Sequence, residues 1–236
     1  MTKLIYLNDT YLSTLNATII NELNDANGLA IIVDRTIFYP QGGGQPSDVG
    51  FIKSESATYK VSSVRLNDSG LVLHYGEYIE GTFTMGQQIN LSIDLDKRIV
   101  NARVHSAGHL LDCAVSSLDL AHLKPSKGFH FPEGPYVEYE GVLENKNDWI
   151  NPIQEKINDL VKENIQISNY SLSFEEAAQK NIWAPAGKSA RVVDFEGFDG
   201  CGCGGTHVLN SSEIGEISIR KIKVKKGVTR IAYALK

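Results

Sequence analysis

His105 and His109 in VHSAGHLL, and Cys203 and His207 in CGCGGTHV, are the residues of this chain best suited to do chemistry. Each pair sets two nitrogen or sulfur donors four positions apart. Imidazole and thiolate together are the donor set that selects zinc over magnesium or calcium. Either pair alone is as ordinary as a partly buried polar contact, but the two together point to a single zinc site. Its halves lie about ninety residues apart, so the fold must bring them together.

The elements that would do so can be read from periodicity. Ile99, Val100, Val104, Ala107, Leu111, Ala114, Val115 and Leu118 recur at helical steps around the histidines. Residues i and i+4 share a helix face, so both imidazoles can address one ion. Asp94 or Asp96 is available as the N-cap. The second pair sits in a loop where Gly204 and Gly205 allow a tight backbone. A second helix is expected over residues 148–164, with Ile150, Ile153, Ile157, Leu160 and Val161 as its apolar stripe. Ser173 and Glu176 form a capping box for a short third helix, FEEAAQKN. Strands are expected at ARVVDF, EISIRKIKV and VTRIAYAL.

Up to about residue 95 the chain reads as β-rich. ATII, GLAIIVD, GFIKS, YKVSSVRL, LVLHYG and QINLSID are separated by turn formers such as Asn27-Gly28 and Asp68-Ser69-Gly70. Short strands at this spacing suggest a small barrel. The expected organisation is α+β: a β-barrel domain over residues 1–93, then an α+β domain over residues 94–236 that holds all the metal-site residues.

A length of 236 residues suffices for a core without disulfide staples. Three cysteines, two of them at 201 and 203, fit reduced thiols in a cytoplasmic protein better than a secreted framework. No apolar run reaches the length of a membrane span, and the start lacks a signal-peptide pattern, so a soluble protein is expected. A net charge of -5 argues against a nonspecific nucleic-acid coater. Arg220, Lys221, Lys223, Lys225, Lys226, Arg230 and Lys236 nevertheless crowd the C-terminal segment. A solvated strand face and contact with a phosphate backbone both fit such a run.

Between strands lies DRTIFYPQGGGQPSDVG. It is neither a P-loop nor a dinucleotide fingerprint. Gln45 and Asp48 among the glycines mark it as a functional loop, against the plainer reading of a tight turn.

FYPQGGGQPSD, HSAGH and CGGTHV, in that order, resemble the editing region of alanyl-tRNA synthetases and their free-standing relatives, the AlaX editing proteins. The resemblance covers nearly the whole chain. It implies a translation-factor-like barrel joined to a zinc-binding editing domain related to that of threonyl- and alanyl-tRNA synthetases. The length is that of the medium form, so amino-acid activation is not expected. Carried over residue by residue, the Zn2+ ligands fall on His105, His109, Cys203 and His207, the last as a ligand or a near neighbour. The loop glutamine falls on Gln45. Thr206 belongs to the CGGTH segment, as a catalytic residue or as a support for the loop. Cys201 departs from the pattern, and Cys203, directly before Gly-Gly-Thr-His, is read as the ligand.

The implied reaction is hydrolysis of the ester in tRNA(Ala) charged with serine or glycine, because an alanine site discriminates poorly among such small groups. No HExxH glutamate or GxSxG nucleophile is present. Two other readings use the same residues: a zinc-stabilised tRNA-binding module without catalysis, and a zinc hydrolase of small esters.

Overall fold

Alternating apolar and polar residues in the N-terminal part become strands in the computed structural model, which describes residues 1–236. They are β1 (Lys3–Leu4), β2 (Thr14–Asp25), β3 (Gly28–Val33), β4 (Arg35–Thr36), β5 (Gly50–Lys53), β6 (Thr58–Leu66), β7 (Val72–Glu80) and β8 (Gln88–Ile93). β1 and β4 form a short parallel pair. The other six close an antiparallel barrel in the order β2-β3-β7-β6-β5-β8. Closure leaves no free sheet edge. Ile31, Ile52, Tyr59, Val61, Val72 and Leu91 fill the interior. His74 is buried there too, with Nδ1 on the Ile31 carbonyl at 2.9 Å and Nε2 on the Thr36 hydroxyl at 2.8 Å.

Helix α1 (Leu95–Ser117) follows, and Asp94 is its cap: Oδ1 accepts the Lys97 N–H at 3.1 Å. The chain divides into compact units at Met1–Val100 and Asn101–Lys236, rather than at residue 94, because the first turn of α1 serves the barrel. Arg98 is fully buried. Its Nε donates to both Asp48 carboxylate oxygens at 3.0 Å, Nη1 to the Thr10 carbonyl at 3.0 Å and Nη2 to the Ile37 carbonyl at 2.5 Å. Val100, counted in the apolar stripe, is exposed instead. Periodicity read hydrophobicity, whereas the buried carboxylate selected the arginine.

The second unit contains β9 (Lys124–Phe129), β10 (Tyr136–Glu140), α2 (Ile150–Lys162), β11 (Ile167–Leu172), α3 (Phe174–Gln179), β12 (Ala190–Phe195), β13 (Cys201–Gly202), β14 (Ile217–Lys225) and β15 (Val228–Leu235). One antiparallel sheet runs β14-β15-β10-β9 and a smaller one β11-β12-β13. Leu110, Leu111 and Ala114 of α1 share a core with Ile153, Ile157 and Leu160 of α2 and with Ile219, Ile222 and Ile231 of the larger sheet. The expected second helix is shorter at both ends, and residues 146–149 form a 3-10 turn. The capping box of α3 is present in both directions: Ser173 Oγ accepts the Glu176 N–H at 3.1 Å, and Glu176 Oε2 accepts the Ser173 N–H at 2.8 Å.

β14 is an edge strand, and α2 covers part of it with amides. Asn158 exchanges two hydrogen bonds with the Ile217 backbone, at 2.7 and 2.9 Å, and Gln154 accepts the Ile219 N–H at 2.9 Å. Lys221, Lys223 and Lys225 stand exposed farther along, where charge discourages pairing with another strand. The other basic residues of this segment are partly engaged within the fold. Arg220 donates to the Tyr233 carbonyl at 2.8 Å, Arg230 to Glu138 at 2.9 Å, and Lys236 to Glu216 at 2.5 Å. No helix is long and apolar enough to cross a membrane.

Candidate metal centre

His105 and His109, one helical turn apart on α1, present near-parallel rings with centroids 5.1 Å apart. The loop after β13 brings Cys203 and His207 to them. Arg191 on β12 shapes that loop. Its carbonyl accepts the Cys203 N–H at 2.9 Å, while its guanidinium donates to the carbonyls of Cys203 and Gly205 at 2.8 and 3.1 Å. Ser106 Oγ, beside His105, accepts the Val208 N–H at 3.2 Å and ties the far end of the loop to the helix. Thr206, between these anchors, is fully buried.

The donor atoms of His105, His109, Cys203 and His207 all lie within 4.8 Å of one another, and the group could hold a metal ion. Cys203 Sγ is 3.5 Å from Nε2 of His105 and 3.7 Å from Nε2 of His207. With zinc–sulfur and zinc–nitrogen bonds of about 2.3 and 2.05 Å, a tetrahedral sulfur–nitrogen edge is roughly 3.5 Å, so these distances fit zinc. His109 Nε2 and His207 Nδ1 are buried polar atoms with no hydrogen-bond partner. A metal ion held by the group would satisfy an orphaned imidazole nitrogen of this kind. Cys201 lies outside the group of four.

The electrostatics suit the same purpose for the histidines. Burial holds His109 unprotonated, with a pKa pushed down to about 4, and the nearby Arg191 charge adds to the effect. Burial, then the neighbouring imidazoles and Arg191, push His105 and His207 well below the ordinary histidine range. Metal ligation needs neutral imidazoles. Burial raises the Cys203 thiol, opposed by the Gly205 N–H and by Arg191. Metal coordination overrides that rise, since a coordinating thiol is deprotonated outright.

Two participants escaped the sequence reading. His130 stacks on His105 at 4.4 Å and 18°. Its Nδ1 donates to the Tyr233 hydroxyl at 2.8 Å, because that hydroxyl gives its own proton to the Val104 carbonyl at 2.9 Å. Glycines at 108 and 128 make the slot for this ring. A Cβ at either position would come within 2.3 Å or 2.2 Å of an imidazole atom. Arg191 is the other. Neither carries a spacing motif; the only signal for His130 was the small residue in HSAGH, which reads equally as part of the metal motif.

Gln45 lies in the first unit. Its side chain is fully buried, and its backbone exchanges hydrogen bonds with Gly42 at 2.8 and 3.3 Å. Gly43 and Gly44 take φ of 51° and 77°, which side-chain-bearing residues rarely adopt. The glycines are therefore required by the turn itself. Asp48 is likewise committed, accepting the Tyr39 N–H at 2.6 Å as well as the arginine.

Residues 8–97 match the family described as tRNA synthetases class II (A), and residues 190–232 match the threonyl and alanyl tRNA synthetase second additional domain. Alanine–tRNA ligases of Alkaliphilus oremlandii and Acetivibrio thermocellus are 30% and 29% identical, over 92% and 90% of this chain. The chain spans only 25% of the length of either ligase. An alanyl-tRNA editing protein AlaX-M of Saccharolobus solfataricus is 31% identical over 100% of both chains. A match running end to end through a free-standing relative, with the ligases matched only in part, means that this chain belongs to the AlaX family of alanyl-tRNA editing proteins.

Proposed function

We propose that this protein is a trans-editing deacylase that hydrolyses the ester of tRNA(Ala) mischarged with serine or glycine, at a zinc site formed by His105, His109, Cys203 and His207. The observation that carries the reading is the convergence of four metal-suited donors in a chain similar over its full length to an AlaX-M protein. A bound zinc ion supplies Lewis acidity toward a carbonyl oxygen or a water. His105, His109 and Cys203 act as ligands in this reading, and His207 is the fourth ligand or their neighbour.

The rest of the work falls to the chain's own groups. The buried imidazoles stay neutral and keep their lone pairs directed inward. Arg191 holds the Cys203–Gly205 backbone in place through two carbonyls. Thr206, in the same loop, holds the ligand geometry or meets the substrate. Gln45 assists from the glycine-rich loop, because an amide can both donate to a carbonyl and accept from a water or hydroxyl. Lys221, Lys223 and Lys225 are the proposed contacts to the tRNA backbone.

Deacylation of seryl-, glycyl- and alanyl-tRNA(Ala), with and without a chelator, tests the proposal. Seryl-tRNA should be cleaved well ahead of alanyl-tRNA, and chelation should abolish the difference. No cleavage above the uncatalysed rate by zinc-loaded protein would refute it. Four protein donors also fit a closed structural site. That favours a second reading, a non-catalytic tRNA-binding module, which tRNA binding without turnover would support.

A further inference from the structure

Cys201 precedes the ligand cysteine by two residues and is not a member of the donor group, yet its sulfur lies 3.4 Å from a nitrogen of His109. That nitrogen is Nδ1, whereas Nε2 of the same ring is buried without a hydrogen-bond partner. We propose that Cys201 is a positioning residue for His109: its sulfur accepts the Nδ1–H bond and so fixes the tautomer that leaves the Nε2 lone pair for the metal. The inference rests on the metal-site reading given above.

A neutral imidazole donates from one nitrogen and accepts at the other. The metal-bound nitrogen must be the accepting one, so the opposite N–H needs a partner that also sets the ring plane. In His109 the buried atom without a partner is Nε2. Nδ1 faces two acceptors. Asp112 Oδ2 is 4.0 Å away, beyond hydrogen-bond reach, and the other oxygen of that carboxylate accepts the Tyr139 hydroxyl at 2.7 Å. The sulfur of Cys201 is nearer. Cys203 differs in kind, since it meets the Nε2 atoms of two histidines and the Gly205 N–H.

The place of Cys201 is set by backbone. It pairs with Val193 in the β12–β13 register. Gly202 is pressed so closely against the Trp183 carbonyl that a Cβ there would come within 2.2 Å of it. In this register Cys203, and not Cys201, is the cysteine whose sulfur joins the cluster. The two cysteines divide the work: one binds, and the other orients a binder.

The test uses the full chain as wild type, Cys201→Ala, Cys201→Ser and Cys203→Ala. Zinc affinity is measured by competition with a chromogenic chelator. Cobalt-loaded samples report thiolate ligation through the sulfur-to-metal charge-transfer band. Cys201→Ala should keep that band and its metal-free circular dichroism, but bind zinc about tenfold more weakly, the low end of what losing such a partner costs. Cys201→Ser should recover most of the affinity, because a hydroxyl accepts the same proton. Cys203→Ala should lose the band. Wild-type affinity in Cys201→Ala, or a serine variant no better than alanine, would overturn the positioning role. Loss of the band in Cys201→Ala would make Cys201 a ligand and overturn it as well. If wild-type protein takes up no metal at all, the metal-site reading falls, and this inference with it.

Discussion

Asp48→Asn should destabilise the barrel unit by about 3 kcal/mol. The substitution keeps the side-chain shape but leaves Arg98, which has no exposure at all, without its counter-charge. Breaking one side of a buried ion pair costs about 3–5 kcal/mol. The lower figure applies because the amide oxygen still accepts one hydrogen bond, and because the Thr10 and Ile37 carbonyls continue to hold the guanidinium. For a unit of this size, each kcal/mol corresponds to about 4–8 °C in melting temperature, so a fall of roughly 12–24 °C is expected if it melts independently. Thermal melting followed by circular dichroism, with a parallel urea titration, measures it. Arg98→Met should be at least as damaging, since it also strands two backbone carbonyls. A loss below about 1 kcal/mol for Asp48→Asn would refute the argument. The carboxylate would then be free for the ligand-facing role that its place among the glycines suggested.

His105→Ala or Cys203→Ala should reduce zinc from about one per chain to near none on purification, read by metal analysis; retention in both would dismantle the site. Burial pushes the pKa of His74 down to about 4 from 6.5. Its unfolded state therefore binds the extra proton first, and stability present above about pH 6.5 is lost as pH falls toward 4, on the order of 3 kcal/mol. His74→Gln should flatten that part of the pH profile in denaturant titrations, and an unchanged profile would exclude this residue. Lys223→Glu with Lys225→Glu should weaken tRNA binding and lessen its salt dependence without emptying the metal site; unaltered binding would move the RNA surface elsewhere. Gln45→Ala should slow deacylation at least about tenfold with normal zinc content, whereas full activity would leave the loop a scaffold.

The elements legible in the sequence were those whose own side chains carry the pattern. β6 and β8 alternate, β3 is a short apolar run, α1 repeats apolar residues at helical steps, and Ser173 with Glu176 announces α3 through local hydrogen bonds. β9 and β11 gave no such signal. KPSKGF has Pro125 and Gly128 and four exposed residues in a row, and all but the ends of ISNYSL is exposed. Their partners, β10 and β12, make them strands. The same division holds at the site. Cys203 was separable from Cys201 by the residues that follow it, whereas His130 depends on two glycines twenty positions apart in sequence, one on α1 and one on β9. Arg98 was hidden for a related reason: a charged residue on a helix reads as solvent-facing until its carboxylate partner is located.

The separation within the metal cluster also has a consequence for how the protein is made. His105 and Cys203 are 98 residues apart. At synthesis rates of about 5–20 residues per second, the histidine pair waits roughly 5–20 s before the cysteine is joined to the chain. During that interval only His105 and His109 of the four clustered donors have been made. The set of four donors is therefore completed late, after α2 and most of the strands of the second unit have been made. On the proposed zinc reading, metal capture would then be a closing step of biogenesis rather than a nucleus for folding.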